Sequence, residues 1–129
     1  MSIIHKATSK PTFLKWQDVP VRDYGQEGFE GVSRQVVIGP EDGSQNFSIR
    51  YFRVEPGCST HLDQHEHEHG VVIVHGRARL QLNDAFHEMD TWDSVFISGN
   101  DVHQFTCISE EPMGFLCIIK PHSTKSNTK

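Results

Sequence analysis

Apolar side chains occur along this chain in short runs, and Gly, Pro, Asn and Asp separate one run from the next. Some runs alternate apolar and polar positions and others are continuously apolar, as half-buried and fully buried strands do. No window combines a helical period with good caps, so alternating β and α units are not expected. The pattern predicts an all-β sandwich or barrel. We place its strands at Val32–Ile38, Phe47–Val54, Val71–Val74, Ala78–Leu82, Val95–Ile97, Gln104–Ile108 and Phe115–Ile119.

The length of 129 residues supports one hydrophobic core. Residues 1–28 contain Pro11, Trp16 and Pro20 and are interpreted as an N-terminal arm or extra edge strand. Such an arm packs against a partner subunit or wraps its own barrel, and both alternatives stay open. Residues 29–120 form the predicted barrel. Residues 121–129 are rich in Lys, Ser and Thr and are interpreted as a polar C-terminal tail.

Charge and cysteine content restrict the partners and the compartment. Twelve basic against seventeen acidic residues give a formal net charge of −5, without the clustered basic face of a nucleic-acid-binding protein. No apolar run approaches the about 20 residues of a membrane helix, and the N-terminus is not typical of a signal peptide. Cys58, Cys107 and Cys117 are an odd number without a paired motif. A disulfide framework is therefore not expected, and we predict a cytoplasmic protein.

A dense histidine cluster directly precedes the apolar run at Val71–Val74. Four histidines lie within nine residues, His61, His65, His67 and His69, with Asp63 among them. Imidazole and carboxylate are the usual protein ligands of divalent first-row metals. Because the cluster is internal and alternates with acids, it does not resemble a purification tag. It predicts a metal site.

The spacing of the cluster requires a bend in the chain. Positions 63 to 69 in a straight strand would span about 20 Å, whereas metal–ligand bonds are about 2 Å long. We therefore expect a turn between His65 and His69, after which Asp63 and His65 act from one strand and His69 from the next. His103, which opens a later strand, is the leading fourth ligand. His61 is the main rival of Asp63.

The other histidines are expected outside the ligand set. His67 falls in the predicted turn, where an exposed or supporting role is favoured over ligation. Surface exposure is the default for isolated histidines, here His5, His75, His87 and His122.

Strand alternation also predicts the surroundings of the ion. If His103 and His69 point inward, then the residues two and four positions later on each strand do so as well. A largely apolar pocket follows, which is the usual composition of a small-molecule site. Its predicted lining is Val71, Ile73, Phe105 and Cys107.

The strand before the cluster carries Arg50, Tyr51 and Arg53. Successive side chains of a strand point to opposite faces, so either Arg50 faces the cavity or Tyr51 and Arg53 do. The sequence leaves open which of them do. An inward Arg50 would bind a substrate carboxylate or enolate. A plain surface strand is the alternative.

The order of these features resembles the cupin superfamily, in particular small single-domain bacterial cupins. The first cupin motif matches Gly57, Asp63, His65, His69 and Gly76, and the second matches residues 91–98 followed by His103. The resemblance covers about residues 29 to 120. It departs from the usual motifs at four positions, which carry Asp63 for His, His69 for Glu, Trp92 for Gly and Ser98 for Pro.

The resemblance implies a double-stranded β-helix (a jelly-roll barrel), one divalent ion in its mouth and a homodimer. Mn, Fe, Ni, Zn and Cu all suit such a ligand set. Dioxygenase-like oxidative cleavage of a small organic molecule is our leading expectation, with metal-dependent isomerisation, elimination or decarboxylation as alternatives. A non-catalytic ligand-binding or sensing cupin is the second hypothesis, because this fold hosts many functions. No catalytic residue is assigned.

Overall fold

A computed structural model describes residues 2–9, 14–24 and 30–121 of the chain. One turn of 3-10 helix, Pro40–Asp42, is the only helical element among these residues. The remaining elements are eleven strands: β1 Ala7–Ser9, β2 Lys15–Trp16, β3 Arg22–Asp23, β4 Val32–Ile38, β5 Ser48–Val54, β6 His69–His75, β7 Ala78–Leu82, β8 Ala85–Met89, β9 Ser94–Ile97, β10 His103–Cys107 and β11 Met113–Ile119.

The strands form two main antiparallel sheets. The larger sheet has the order β3-β4-β5-β11-β6-β9, and the smaller has the order β10-β7-β8. Strands β1 and β2 pair with each other. Neighbours such as β5 and β11 lie far apart in sequence, so the sheets are built mainly from long-range pairings. The prediction of an all-β protein is confirmed.

Both sheets contribute to one core. The large sheet supplies side chains such as Val54, Ile73 and Phe115, and the small sheet supplies Leu80 and Phe105. The exposure along β6 and β10 alternates between buried and half-buried residues, as expected for strands whose inner faces meet a second sheet.

Each of the seven predicted strands is present, with ends that differ by up to two residues. Strand β8 was missed because its first four residues are all exposed, so it carries no apolar period. It is held instead by pairing with β7 across a tight turn at Asn83, whose φ is +55°. Pairing with a neighbour rather than burial therefore defines this strand.

Part of the predicted arm packs on the large sheet of its own chain. The Gln35 side chain donates to the Leu14 carbonyl oxygen at 2.8 Å. The Trp16 ring packs edge-on against Tyr51, with ring centroids 5.4 Å apart. Residues 10–13, 25–29 and 122–129 lie outside the described part, so the bounds predicted for arm, barrel and tail stay a prediction.

The expectation that His75 lies on the surface is wrong. His75 is buried at the end of β6, where Nε2 pairs with the Tyr51 hydroxyl at 2.5 Å and Nδ1 with the Pro112 carbonyl oxygen at 3.0 Å. Burial raises the pKa of Tyr51 to about 12 and lowers the pKa of His75. Both groups are therefore neutral near pH 7, and their hydrogen bonds satisfy polar atoms inside the core.

Candidate metal centre

Three of the predicted ligands lie together at one end of the barrel. One nitrogen each from His65, His69 and His103 lies within 4.8 Å of the others. His69 and His103 are buried, and His65 is half-buried. Nitrogens bound to one ion at about 2.1 Å lie at most about 4.2 Å apart, so small ring movements would close the cluster on an ion.

The bend expected between His65 and His69 is present at residues 66–67. The segment before it packs against the turn that follows β9. Asn100 donates its backbone N–H to the His65 carbonyl oxygen at 2.5 Å, and the Gln64 side chain donates to the Asn100 carbonyl oxygen at 2.8 Å. These contacts hold His65 beside the first residues of β6 and β10.

Backbone pairing joins Asp63, the first of the predicted ligands in the chain, to His103, the last. Asp63 and His103 exchange both of their backbone hydrogen bonds at 2.9 Å, although 40 positions separate them in sequence. His103 is also the first residue of β10, where it lies opposite Leu82 of β7 in the antiparallel pairing. The site is therefore assembled where the two sheets meet.

Hydrogen bonds to one ring nitrogen leave the other available at two of the histidines. The Nδ1 atom of His103 lies 3.0 Å from the Asp101 carbonyl oxygen, which can only accept. Nδ1 therefore carries the proton and Nε2 carries the lone pair. The Nδ1 atom of His69 contacts the Cys117 thiol at 3.4 Å, while its Nε2 is buried without a hydrogen-bond partner. An orphaned imidazole nitrogen beside two others fits a metal ion.

The electrostatics of the cluster favour neutral imidazole. Burial, and then the neighbouring His103, lower the pKa of His69 to about 3. His69 is consequently unprotonated near pH 7, which is the form that binds a metal.

Asp63, His61 and His67 are placed differently from these three. Asp63 lines the same cavity, and its Oδ2 lies 3.7 Å from the His65 Nε2, but it is outside the cluster of three nitrogens. The His61 ring stacks on Tyr24 at 5.4 Å. The His67 ring stacks on those of His65 and His69, with centroids 4.9 Å apart in both pairs. Neither Asp63 nor its rival His61 joins the described cluster.

The histidines open into a cavity of about 340 Å³, within the range of small-molecule sites. Its apolar lining is Phe52, Val71, Phe105, Phe115 and Cys117. Its other polar lining residues are Tyr24, Arg34, Arg50, Thr60 and Asp63.

The predicted lining residues lie at two depths. Val71, Phe105 and Arg50 reach the cavity, whereas Ile73 and Cys107 lie deeper, in the core between the sheets. Alternation predicts the face of a strand and not the depth along it, which explains the difference. The structure also shows which side chains of β5 face the cavity: Arg50 does, and Tyr51 is buried on the other side of the sheet.

Several wall residues were absent from the predicted site, among them Tyr24, Arg34 and Cys117. Tyr24 follows β3, Arg34 lies on β4, and Cys117 lies on β11, so each is remote in sequence from the histidine cluster. Burial and then the charge of Asp63 raise the pKa of Tyr24, which keeps its phenol protonated.

Comparisons of this chain with known proteins agree on one family. The family model described as "Cupin domain" matches residues 50–119, more than half of the chain. A curated relative from Rhodospirillum rubrum, named 1-methylthio-D-xylulose 5-phosphate methylsulfurylase, is 34% identical over 114 residues, which cover 86% of this chain and 72% of the relative.

Solved structures give the same result. A cupin 2 conserved barrel domain protein from Rhodopseudomonas palustris has a TM-score of 0.78 and 28% identity, over 91% of this chain and 81% of its own. The polyketide cyclase RemF from Streptomyces resistomycificus has a TM-score of 0.74 and 25% identity, over 81% of this chain and 75% of its own. No helix in the described residues is both long and apolar enough to span a bilayer.

Proposed function

This chain belongs to the cupin family, and on that premise we propose that it is a metal-dependent enzyme acting on a small hydroxy-carbonyl compound. The predicted jelly-roll fold is confirmed by the family and by its structural relatives. The observation that carries the proposal is the unpartnered Nε2 of His69, buried beside the ring nitrogens of His65 and His103 at the wall of an accessible cavity.

In this proposal His65, His69 and His103 hold one divalent ion. Three protein ligands leave coordination positions open, as in catalytic rather than structural metal sites. Such an ion supplies Lewis acidity toward a carbonyl or hydroxyl oxygen of the substrate. Supporting contacts from Asp101 and Cys117 orient His103 and His69.

Asp63 and Tyr24 would handle the proton. The Asp63 carboxylate lies in the cavity wall 3.7 Å from His65, so it is placed to accept a proton from a substrate carbon or hydroxyl. The protonated phenol of Tyr24 faces the same cavity and would donate a hydrogen bond to a substrate oxygen. We assign Asp63 this role instead of ligation.

The name of the R. rubrum relative contains a ketose phosphate. A ketose is a hydroxy-carbonyl compound, which is the kind of substrate that metal-dependent isomerase or lyase chemistry requires. The polar groups around the histidines suit a polyhydroxylated molecule. Oxidative cleavage, the leading expectation from sequence, remains the second candidate. It is favoured by the apolar wall of Phe52, Phe105 and Phe115, beside a site with open positions.

The ligand set is tested by metal analysis of purified variants. We expect His65→Ala and His103→Ala each to lose most of the bound metal while their circular dichroism stays that of the parent. His87→Ala is the matched control, because His87 is exposed on β8 and lies outside the cluster. Full metal occupancy in both cluster variants would refute the site.

The reaction class is tested by solvent exchange. Metal-loaded protein is incubated in D₂O with 1-methylthio-D-xylulose 5-phosphate and with a pentulose 5-phosphate, and NMR detects deuterium at carbons next to the carbonyl. We expect exchange that Asp63→Asn slows by about 10²–10⁴-fold, the usual contribution of a general base. An oxygen electrode runs in parallel. Metal-dependent oxygen uptake without exchange would support oxidative cleavage. The absence of both signals would support a binding protein.

Assembly and location also stay predictions. The family resemblance implies a homodimer, which light scattering coupled to gel filtration tests directly. The cytoplasmic location is tested by fractionation of the native cell.

A further inference from the structure

The wall of the cavity that β4 and β5 form carries two guanidinium groups on neighbouring strands. Arg34 on β4 pairs with Phe52 on β5, so Arg50 is its diagonal neighbour on the same face of the sheet. Both side chains are half-buried and both line the cavity. Across β3, Arg22 pairs directly with Arg34, which continues the row of positive charge.

The described residues do not neutralise this pair. No carboxylate among them lies within ion-pair distance of Arg34 or Arg50. Among the residues that the structure describes, Asp63 is the one acid in the cavity lining, and its carboxylate lies 3.7 Å from the His65 Nε2. In a chain with a formal net charge of −5, the described part of the cavity lining therefore carries two arginines and one acid.

The two guanidinium groups are held by aromatic rings and a thiol. Arg34 lies 5.0 Å from the centroid of the Tyr24 ring, and Arg50 lies 5.2 Å from that of Phe52. The Nη2 atom of Arg50 donates to the Cys117 Sγ at 3.3 Å, and its Nε is buried with no hydrogen-bond partner. Burial and then the charge of Arg50 lower the pKa of Arg34. Like charges on one face of a sheet are unfavourable, so an anion bound between them would relieve the repulsion.

We infer that Arg34 and Arg50 form the binding site for a phosphate monoester of the substrate. A phosphate dianion matches two guanidinium charges, whereas a carboxylate matches one. The planar donors of Arg bind phosphate oxygens in pairs, and the orphaned Nε of Arg50 is such a donor. The substrate would then carry its phosphate on the arginine wall and its reacting oxygens toward the histidines. This substrate class deepens the proposed function and rests on it.

The site is tested by calorimetric titration of metal-free protein with inorganic phosphate, at an ionic strength balanced with chloride. We expect saturable one-to-one binding to the parent and at least tenfold weaker binding to Arg34→Gln and to Arg50→Gln. Arg79→Gln is the matched control, since it removes the same charge from an exposed position outside the cavity. It should bind as the parent does. Parent-like binding in both cavity variants, or equal weakening in the control, would overturn the inference.

A second set of ligands identifies the anion. Ribose 5-phosphate should bind at least as tightly as inorganic phosphate, and ribose and acetate at least tenfold more weakly. Acetate binding as tightly as phosphate would overturn the assignment to a dianion, and ribose binding as tightly would overturn the role of the charge. Phosphate should also raise the melting temperature of the parent and not that of Arg34→Gln, whose cooperative melting transition without phosphate shows that the variant is folded.

The outcome is separable from that of the metal proposal. Because the titrations use metal-free protein, phosphate bound by a metal ion would give no signal in them. His103→Ala should keep its phosphate affinity, while Arg50→Gln should keep its metal content. Loss of phosphate binding in His103→Ala would show that the anion lies at the histidines, against the inference.

Discussion

Trp92 adopts a backbone conformation that glycine adopts more easily. Its φ is +78°, in the left-handed region, and its side chain is 71% exposed. Cupins usually have glycine here, and the turn keeps the glycine-like conformation although the residue has changed. Bulky residues at positive φ are strained, and the exposed indole has little packing to offset that strain.

We therefore predict that Trp92→Gly does not destabilise the fold. A residue with a side chain is destabilised by about 1–2 kcal/mol in the left-handed region, and glycine avoids this strain. Against that gain, the greater conformational entropy of glycine in the unfolded chain costs about 0.5–1 kcal/mol. The free energy of unfolding in urea, followed by circular dichroism, should stay equal or rise by up to about 1 kcal/mol. Trp92→Val is the control and should lower it. The reverse order of the two variants would contradict the strain argument.

Among the connections between elements, the turn at Gly76 takes the chain from β6 in the large sheet to β7 in the small one. Its φ is +75°, and a Cβ atom there would lie 2.6 Å from the Met113 Cα and 2.8 Å from the Pro112 carbonyl oxygen. Both neighbours are backbone atoms, which cannot move aside as a flexible side chain can. Glycine is thus required both by conformation and by space.

Gly76→Ala should destabilise the protein by more than about 2 kcal/mol, since left-handed strain and overpacking each cost about 1–3 kcal/mol. Urea unfolding measures this change. Gly43→Ala is the matched control: its φ is +92°, but no atom lies within 4 Å of a Cβ there. Equal losses in both variants would show that strain alone, and not the contact with β11, makes glycine necessary.

The N-terminal segment is tied to the 3-10 turn by one ion pair. The Nε2 atom of His5 lies 2.8 Å from the Asp42 Oδ1, and both side chains are half-buried. This hydrogen bond raises the pKa of His5 above 6.5 and lowers the pKa of Asp42 below 3.8.

The pair should stabilise the fold most between about pH 4 and pH 6.5. The contribution of His5, whose pKa is raised, is complete below pH 6.5 and is lost as pH rises through its folded-state pKa. The contribution of Asp42, whose pKa is lowered, is lost as pH falls below 3.8. The difference in unfolding free energy between the parent and Asp42→Asn should therefore peak in that window. NMR titration should show a lower His5 pKa in Asp42→Asn, but not in the exposed control Asp84→Asn.

On the scale of the whole molecule, the core and the metal site are separate sources of stability. The core spans both sheets through residues such as Ile73, Leu80 and Phe105, none of which belongs to the histidine cluster. The metal-free chain should consequently fold. An ion that binds only the folded state adds stability by mass action.

We expect the melting temperature to rise with metal concentration. At 100 times the dissociation constant the added stability is about 2.7 kcal/mol. His103→Ala should melt at a temperature that is independent of metal, whereas His87→Ala should follow the parent. The measurement is thermal unfolding of chelator-treated protein with increasing Mn²⁺ or Zn²⁺. A metal-dependent shift that persists in His103→Ala would place the ion elsewhere.

The strand pattern and the histidine cluster were readable from sequence because both depend on near neighbours. Period-two alternation reports which face of a strand is buried, and turn residues report where it ends, so Val32–Ile38 and Ala78–Leu82 were predicted to the residue. The bend after His65 followed from the span of an extended strand, which is far longer than the distance between two ligands of one ion. Strand β8 was not readable, because pairing with β7 defines it and its exposed side chains carry no pattern.

Sequence by itself determined the all-β class and a local group of metal-ligand candidates near positions 63 to 69. The tertiary structure decided which of these meet His103, because that contact depends on the register of strands about 40 positions apart. It also decided that Arg50 rather than Tyr51 faces the cavity, that Arg34 joins it, and that His75 is buried. These outcomes depend on which distant strands pair and how the two sheets pack, and neither is encoded in the local pattern of apolar and polar residues.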